Sequence, residues 1–415
     1  MNNEREFKEF KDLPEGWKWV RLGEVVIENP KSPFKVEDCD NFGNFPFFTS
    51  GDNVLRHSHF LVDEENLFIA TGGKAKINYF YGKASYSADT YSLKVKDLNT
   101  KYIFYTLLKD IEIIDYKFFS GSGLKHLQKD DFKGLSIPLP PLPEQQKIAE
   151  IFETIDNAIE KTDKIIEKYK RIKQGLMQDL LTKGIDENRN IRNEKTHKFK
   201  DSPLGRIPEE WEVVRLGEVC DIKISNVDKK IEERGKKVML CNYLDVYKND
   251  YITKSINFMT GTATKREIDK FNVLKGDVII TKDSEEFDDI AKPSYVAEKI
   301  PNLVCGYHLA ILRPKNTVDG LFLSKALKLQ PINIFFQKRA NGMTRFGITK
   351  ETIENALIPL PPLPEQQRIA EILSQIDQTI EKEQQYKEKL KRIKQGLMED
   401  LLTGKVRVNQ LIKEA

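Results

Sequence analysis

The strongest constraint on this chain is a phrase that it uses twice. Residues 137–151 read IPLPPLPEQQKIAEI and residues 358–372 read IPLPPLPEQQRIAEI, with Lys147/Arg368 the one difference across fifteen positions. The offset is 221 residues (358 minus 137), and at the same offset RIKQGLMQDLLT from Arg171 faces RIKQGLMEDLLT from Arg392. Pro138, Pro140 and Pro141 favour an extended approach, Pro143 suits a first helical turn, and Glu144 sets negative charge at the positive end of a helix dipole. Apolar residues follow at steps of three and four, from Ile148 to Leu180 and from Ile369 to Leu401, with charged residues on the other face. Gly184 and Gly404 stand where a helix C-terminus takes glycine. The pattern predicts two helices of about 40 residues, each too long to be covered by one small domain. The economical partner for each apolar stripe is the other copy, packed antiparallel.

A second repeat opens each half. WKWVRLGEV begins at Trp17 and WEVVRLGEV at Trp211, an offset of 194 residues (211 minus 17). The second globular segment is therefore 27 residues longer than the first (221 minus 194). The expected order is a globular domain over 1–141, a helix over 142–183, a linker over 184–206, a second globular domain over 207–362, a second helix over 363–404 and a tail over 405–415. Residues 184–206 earn the name of linker by composition, being polar and rich in Asn, Lys and Arg. Within the domains, residues 67–70, 87–95, 278–281 and 309–312 read as strands, and 102–108 and 321–329 as helices. The fold class expected is α+β, with two mixed α/β domains joined by two long antiparallel coiled-coil helices in a pseudo-twofold arrangement.

Charged residues make up 32% of the chain yet its net charge is only +3, so a nucleic-acid surface would have to come from local clusters. Cys39, Cys220, Cys241 and Cys305 are scattered without a CxxC pair, which argues against both a zinc knuckle and a disulfide framework. The first residues, MNNEREFKEF, are charged, and no run approaches the roughly 18 apolar residues of a membrane span, so the expected setting is cytoplasmic. His57, His59 and Asp52 read as a solvated turn rather than a metal site. Gly72-Gly73-Lys74 lacks the phosphate-cradling GxxxxGK[ST] arrangement, and no D/N-P-P-Y/F methyltransferase motif occurs. PLPPLP has PxxP spacing, but with a helix fused directly behind it a rigid junction is the better reading.

Basic residues cluster in both domains: Lys74, Lys76 and Lys83, then Lys229, Lys230, Arg234, Lys236, Lys237, Lys265, Arg266, Lys338, Arg339 and Arg345. Two loops lie just before the proline phrases, one with Gly121, Lys125 and His126, the other running from Asn341 through Gly342 and Met343 to Phe346. The candidate DNA contacts are Lys74, Lys76, Lys125, His126, Lys282, Arg339 and Arg345, each able to neutralise a phosphate or reach a base. The acidic run from Asp283 to Asp289 repels a DNA backbone. It reads either as a solvated loop or as a source of acceptors for cytosine amino groups. Gly175 and Gly396 interrupt strong helical patterns and are expected at the helix interface, opposite Leu373 and Phe152 respectively, fixing the register by close approach.

Two divergent domains, each followed by the IPLPPLPEQQ phrase and a helix ending in RIKQGLM, and each opened by P-E-x-W-x-x-x-R-L-G-E-V, closely resemble the specificity subunit of Type I restriction–modification enzymes. The resemblance implies two target recognition domains, each reading one half of a split DNA sequence. It also implies a helical spacer that docks two methyltransferase subunits and, through the complex, the restriction and translocase subunits. It assigns this chain no catalytic residues, metal or cofactor; S-adenosylmethionine and ATP would belong to the partner subunits. The alternatives are a bivalent protein-binding scaffold and a free-standing repressor-like DNA-binding protein.

Overall fold

The computed structural model describes residues 13–40, 42–229, 231, 235–342 and 344–412. Lys230, Arg234 and Met343, read above as members of a basic cluster and a glycine loop, lie outside these residues, as does the charged N-terminal decapeptide. Two units are distinguished. The first takes in residues up to Ile165 together with those from Glu383 onward, and the second runs from Ile166 to Lys382. The expected helices form over Leu142–Thr182 and Leu363–Leu401, 41 and 39 residues long. Each unit therefore holds the entry half of one long helix and the exit half of the other.

The sheets of the two units share a plan. In the first, the order is Val26–Glu28, Thr90–Val95, Val62–Ala70, Ile77–Tyr86, Phe45–Phe48 and Leu55–His57. In the second it is Cys220–Ile224, Leu309–Pro314, Val278–Thr281, Pro293–Val296 and Tyr251–Ile252. In both, every pair is antiparallel except one, Phe47 with Ser85 in the first unit and Tyr251 with Tyr295 in the second. The second unit adds a three-stranded sheet of Met259–Ala263, Lys236–Cys241 and Leu303–Cys305, with its own buried core around Leu240, Val304 and Phe271.

The two sequence repeats meet as one structure. Lys18–Arg21, from the tryptophan opening, pairs antiparallel with Ser136–Leu139 of the proline phrase, and Glu212–Arg215 pairs with Leu357–Leu360 in the same register. A two-stranded ribbon tolerates proline because one edge needs no donors. Behind it the phrase PEQQ enters the helix with Glu144, Gln145 and Gln366 buried and the Glu365 side chain only 9% exposed. Gln145 Nε2 donates to the Pro140 carbonyl at 2.8 Å, and its Oε1 accepts from the backbone of Asn99, which caps the Thr100–Lys109 helix. Gln366 does the same with Pro361 and with Asp319, the cap of the Gly320–Ala326 helix.

The glutamate is held more firmly still. Trp17 Nε1 donates to Glu144 at 3.0 Å, and Arg407, just beyond the second long helix, grips the same carboxylate through Nε and Nη2 at 2.7 and 2.8 Å. In the second unit Trp211 and Arg192 take Glu365 in the same way, with Ile185 N as a further donor at 2.9 Å. The segment read as a linker is thus built into the second unit: Arg192 and Ile185 are buried, and Phe199–Ser202 pairs with Gly205–Pro208.

The register of the helices is matched by reciprocal ion pairs and not by close approach at glycine. Asp156 meets Lys394 at 2.6 Å in the first unit, and Lys173 meets Asp377 at 2.6 Å in the second. These are the same two positions of the repeat, used reciprocally. Asp163 with Lys387 at 2.5 Å extends the antiparallel pairing in the first unit. Gly175 and Gly396 are exposed, and a Cβ on either would meet open space, so they bring nothing close. The expected register was off by less than one turn, but its cause was wrong. Phe152 and Leu373 are fully buried, and what they pack against is the domain cores as well as the helices. Phe152 lies 4.8 Å from the Tyr105 ring, and Leu373 joins the cluster of Trp211 and Phe322.

Each repeated aspartate also takes a tyrosine hydroxyl from its domain, Tyr105 on Asp156 and Tyr251 on Asp377, both at 2.8 Å. The second unit adds Lys325, only 1% exposed, which donates to Asp377 at 2.7 Å and to Tyr251 at 3.0 Å. Asp250, gripped by Lys328 and Lys173, completes the network. Burial alone would raise the Asp250 carboxyl, but these lysines hold it down at about 2.

Two outcomes are expected. Asp377→Asn strands a buried lysine and should lower stability by about 3 kcal/mol, whereas Asp156→Asn, on a more exposed pair, should cost about 1 kcal/mol. Urea midpoints of the two variants check this, and equal losses would contradict it. Gly175→Ala and Gly396→Ala should each raise stability, by up to about 1 kcal/mol, since only helix propensity changes; a lower melting temperature for both would contradict that reading.

Candidate nucleic-acid interface

In the first unit the strand Val62–Ala70 runs straight into Thr71-Gly72-Gly73-Lys74, and this turn is stitched to the loop before the proline phrase. Gly73 N donates to the Lys125 carbonyl and Leu127 N to the Thr71 carbonyl, both at 3.0 Å, with Gly72 and His126 bridged between them. Gly73 has φ +82°, a left-handed conformation that glycine adopts without cost. Asp115 ties the two loops together: its Oδ1 accepts from Ala75 N at 2.6 Å and its Oδ2 lies 3.4 Å from Lys125 Nζ. Lys74, Lys125 and His126 are exposed on this loop pair. Lys76 plays a different part, since its Nζ donates to the carbonyls of Gly51 and Asp52 at 2.6 Å each and so holds a neighbouring turn.

The second unit builds the same pair from different residues. Val278–Thr281 continues into Asp283–Ser284, which pairs with Phe346–Gly347 of the loop before its proline phrase. Gly121 and Gly342, again 221 residues apart, have φ +150° and +146°. A Cβ would lie 2.4 Å from the Leu124 carbonyl oxygen at Gly121 and 1.9 Å from that of Arg345 at Gly342. Both loops thus need glycine at one shared position, and the positions that follow differ: Leu124, Lys125 and His126 in one correspond to Arg345, Phe346 and Gly347 in the other, where a Cβ on Gly347 would lie 2.7 Å from Asp283 Oδ1.

Arg345 is half exposed, with Nη1 at 3.1 Å from His308 Nε2 and Nη2 at 3.8 Å from Glu285. His308 Nδ1 is 2.9 Å from Asp283 Oδ2, and Lys282 Nζ is 2.6 Å from Asp283 Oδ1. Lys282 is therefore engaged with its neighbour and mostly covered. Arg339 stacks on Phe335 at 4.0 Å and is exposed, one turn of chain before the glycine loop. The acidic run is only in part a solvated loop: Asp283 is nearly buried, Phe287–Asp289 forms a 3-10 turn, and Thr281 Oγ1 holds the Asp289 carbonyl at 2.8 Å. Asp283, Glu285, Asp289, His308 and Arg345 line part of a cleft of about 640 Å3.

Asp115 and His308 escaped the sequence reading. Neither sits in a repeat, and each acts through partners far along the chain. The signal that was available is the 221-residue spacing of Gly121 and Gly342, which marks the two loops as equivalent. Among the described residues no group of three or more His, Cys, Asp or Glu is arranged to hold a metal ion, and no helix is long and apolar enough to cross a membrane.

A family model described as "Type I restriction modification DNA specificity domain" matches residues 14–170 and 208–392. The specificity subunit of the Type I restriction enzyme MjaVIII of Methanocaldococcus jannaschii is 29% identical over 98% of this chain and 97% of its own length. Among solved structures, the Type I restriction–modification S subunit from M. genitalium superposes with a TM-score of 0.64 at 17% identity, covering 93% of this chain and 96% of that one. A chain solved in work on complex assembly and conformational transition of the Type I system gives 0.53 at 20% identity, covering 95% and 100%.

Gly121→Ala and Gly342→Ala should each deform one loop pair while leaving the buried cores intact. The expected result is unchanged far-ultraviolet circular dichroism with at least a tenfold loss of duplex binding; binding equal to wild type in both would remove these loops from the interface.

Proposed function

The chain belongs to the Type I restriction–modification DNA specificity family, and from that premise we propose that it selects the DNA target for a modification complex, each unit reading one half of a split, asymmetric sequence. The observation that carries this reading is the contrast between frame and contents. The ribbon, the Trp–Glu–Arg clasp and the Asp–Tyr–Lys contacts recur in both units, while the exposed loop pairs share a backbone plan and almost no side chains. A frame repeated so closely around different loops suits recognition of two different half-sites in one duplex.

The chain is a recognition subunit without chemistry of its own. Two methyltransferase subunits dock on the long helices, supplying S-adenosylmethionine chemistry, and restriction and translocase subunits join through the complex with ATP, all in the cytoplasm. Lys74, Lys125, His126, Arg339 and Arg345 face the duplex, Lys76 and Lys282 support the loops behind them, and binding weakens with salt as phosphate contacts release counterions.

Exchanging residues 207–357 for those of another family member and mapping methylated bases in cells carrying the complete system tests the proposal. One half of the methylated sequence should change and the other persist. A change in both halves, or methylation without any split target, would overturn it.

A further inference from the structure

The cleft of the second unit has a chemistry that phosphate contact does not explain. Its lining carries five carboxylates; Asp283 and Asp289 are paired with Lys282 and Lys292, which leaves Asp245, Glu285 and Glu286 beside Lys229 and Arg345. A wall of such mixed sign, with Glu285 beside Arg345, offers a phosphate little net attraction, so the arginine is poorly employed as a phosphate clamp. A base edge, neutral and lined with both acceptors and donors, suits the mixture better.

The arrangement around Arg345 is specific. A carboxylate only accepts and a guanidinium only donates, so the imidazole between Asp283 and Arg345 must donate from Nδ1 to Asp283 and accept at Nε2 from Arg345. Asp283 in turn is fixed by Lys282 and by its pairing with Gly347. His308 itself sits at φ +72°, an uncommon conformation outside glycine that persists where the surrounding structure imposes it. Arg345 Nη2 makes only a solvent-exposed ion pair with the Glu285 carboxylate, 3.8 Å away and beyond hydrogen-bond range, so a base can take its place between them. A fork of donors next to an acceptor mirrors the major-groove edge of one base pair. Guanine presents O6 and N7 as acceptors, and its cytosine presents the N4 amino group alongside.

We propose that Arg345, positioned by His308 and Asp283, reads the guanine of a G·C pair in the half-site of the second unit, while Glu285 accepts from the cytosine amino group. This rests on the reading of the chain as a DNA specificity subunit and adds which residues discriminate and what they select. His308 and Asp283 are positioning residues; they reach the base only through Arg345. The first unit has Leu124 where the second has Arg345, so its half-site lacks this contact.

The test uses the full chain assembled with its cognate methyltransferase subunits and a pool of duplexes with randomised sequence, sequencing the bound fraction. Wild type should enrich a split motif with a G·C pair at a fixed position in one half. Arg345→Ala should cut the preference at that position by roughly tenfold or more while leaving the other half-site unchanged, which also reports that the variant is folded. Arg345→Lys, lacking the fork, should not restore it. Glu285→Gln should relax the same position. His308→Ala should lose much of the preference and His308→Gln, which can still donate and accept, should recover part of it. An even loss of affinity over all sequences with a shallower salt dependence would make Arg345 a phosphate contact and overturn the proposal. So would an unchanged motif, or a split motif with no G·C pair in the affected half. A wild-type complex that enriches no split motif would instead overturn the function proposed above, and this inference with it.

Discussion

Burying a carboxylate is costly unless its oxygens are taken by donors, and this chain does it twice at the same place. Glu144 and Glu365 open the two long helices, each closed by a tryptophan from the start of its domain and an arginine from beyond the end of the other helix. That contact decides much else. It fixes where the extended proline entry turns into helix and seats the tryptophan opening beside it. It also recruits Arg192 and Arg407, which make structured parts of segments that look like connectors. The next residue, Gln145 or Gln366, links the same turn to the capped helix of the domain. A helix entry, a ribbon and a domain helix are thereby held as one piece, in both units.

This is why the sequence repeats where it does. PEQQ keeps its identity through the duplication because its Glu and first Gln are buried hydrogen-bonding centres, not because of the helix dipole alone. The long helices, their apolar stripes and their antiparallel sense were legible from periodicity and duplication, as were the principal strands. The cause of the register was not legible. Gly175 and Gly396 drew notice by breaking a pattern, but they lie on the open face, and the ion pairs that match the register are Asp156 with Lys394 and Asp377 with Lys173. Those residues look like ordinary surface charges in a sequence that is nearly one-third charged. Only their reciprocal use across the repeat distinguishes them, and that requires knowing which halves meet.

The candidate interface was half legible for a similar reason. Glycine beside a basic residue marked the loops before the proline phrases, and Lys74, Lys125 and His126 do come together. Lys76 and Lys282 resemble them in sequence but are engaged with neighbouring carbonyls and a carboxylate. Asp115 and His308 orient the exposed side chains from a distance of many residues along the chain, so no local pattern announces them. Where the frame is fixed by buried charge and the loops before the proline phrases by the shared glycines Gly121 and Gly342, the side chains at Leu124 and Lys125 can differ from those at Arg345 and Phe346, and that difference suits a subunit whose task is to choose among sequences.

The most direct measurement is a structure of the full chain bound to a duplex carrying its own methylated sequence. The account predicts that residues 71–74 with 121–126, and residues 282–284 with 342–347, each lie against base edges, at two separate stretches of the duplex. Both loop pairs turned away from the DNA, or both on the same stretch, would contradict it.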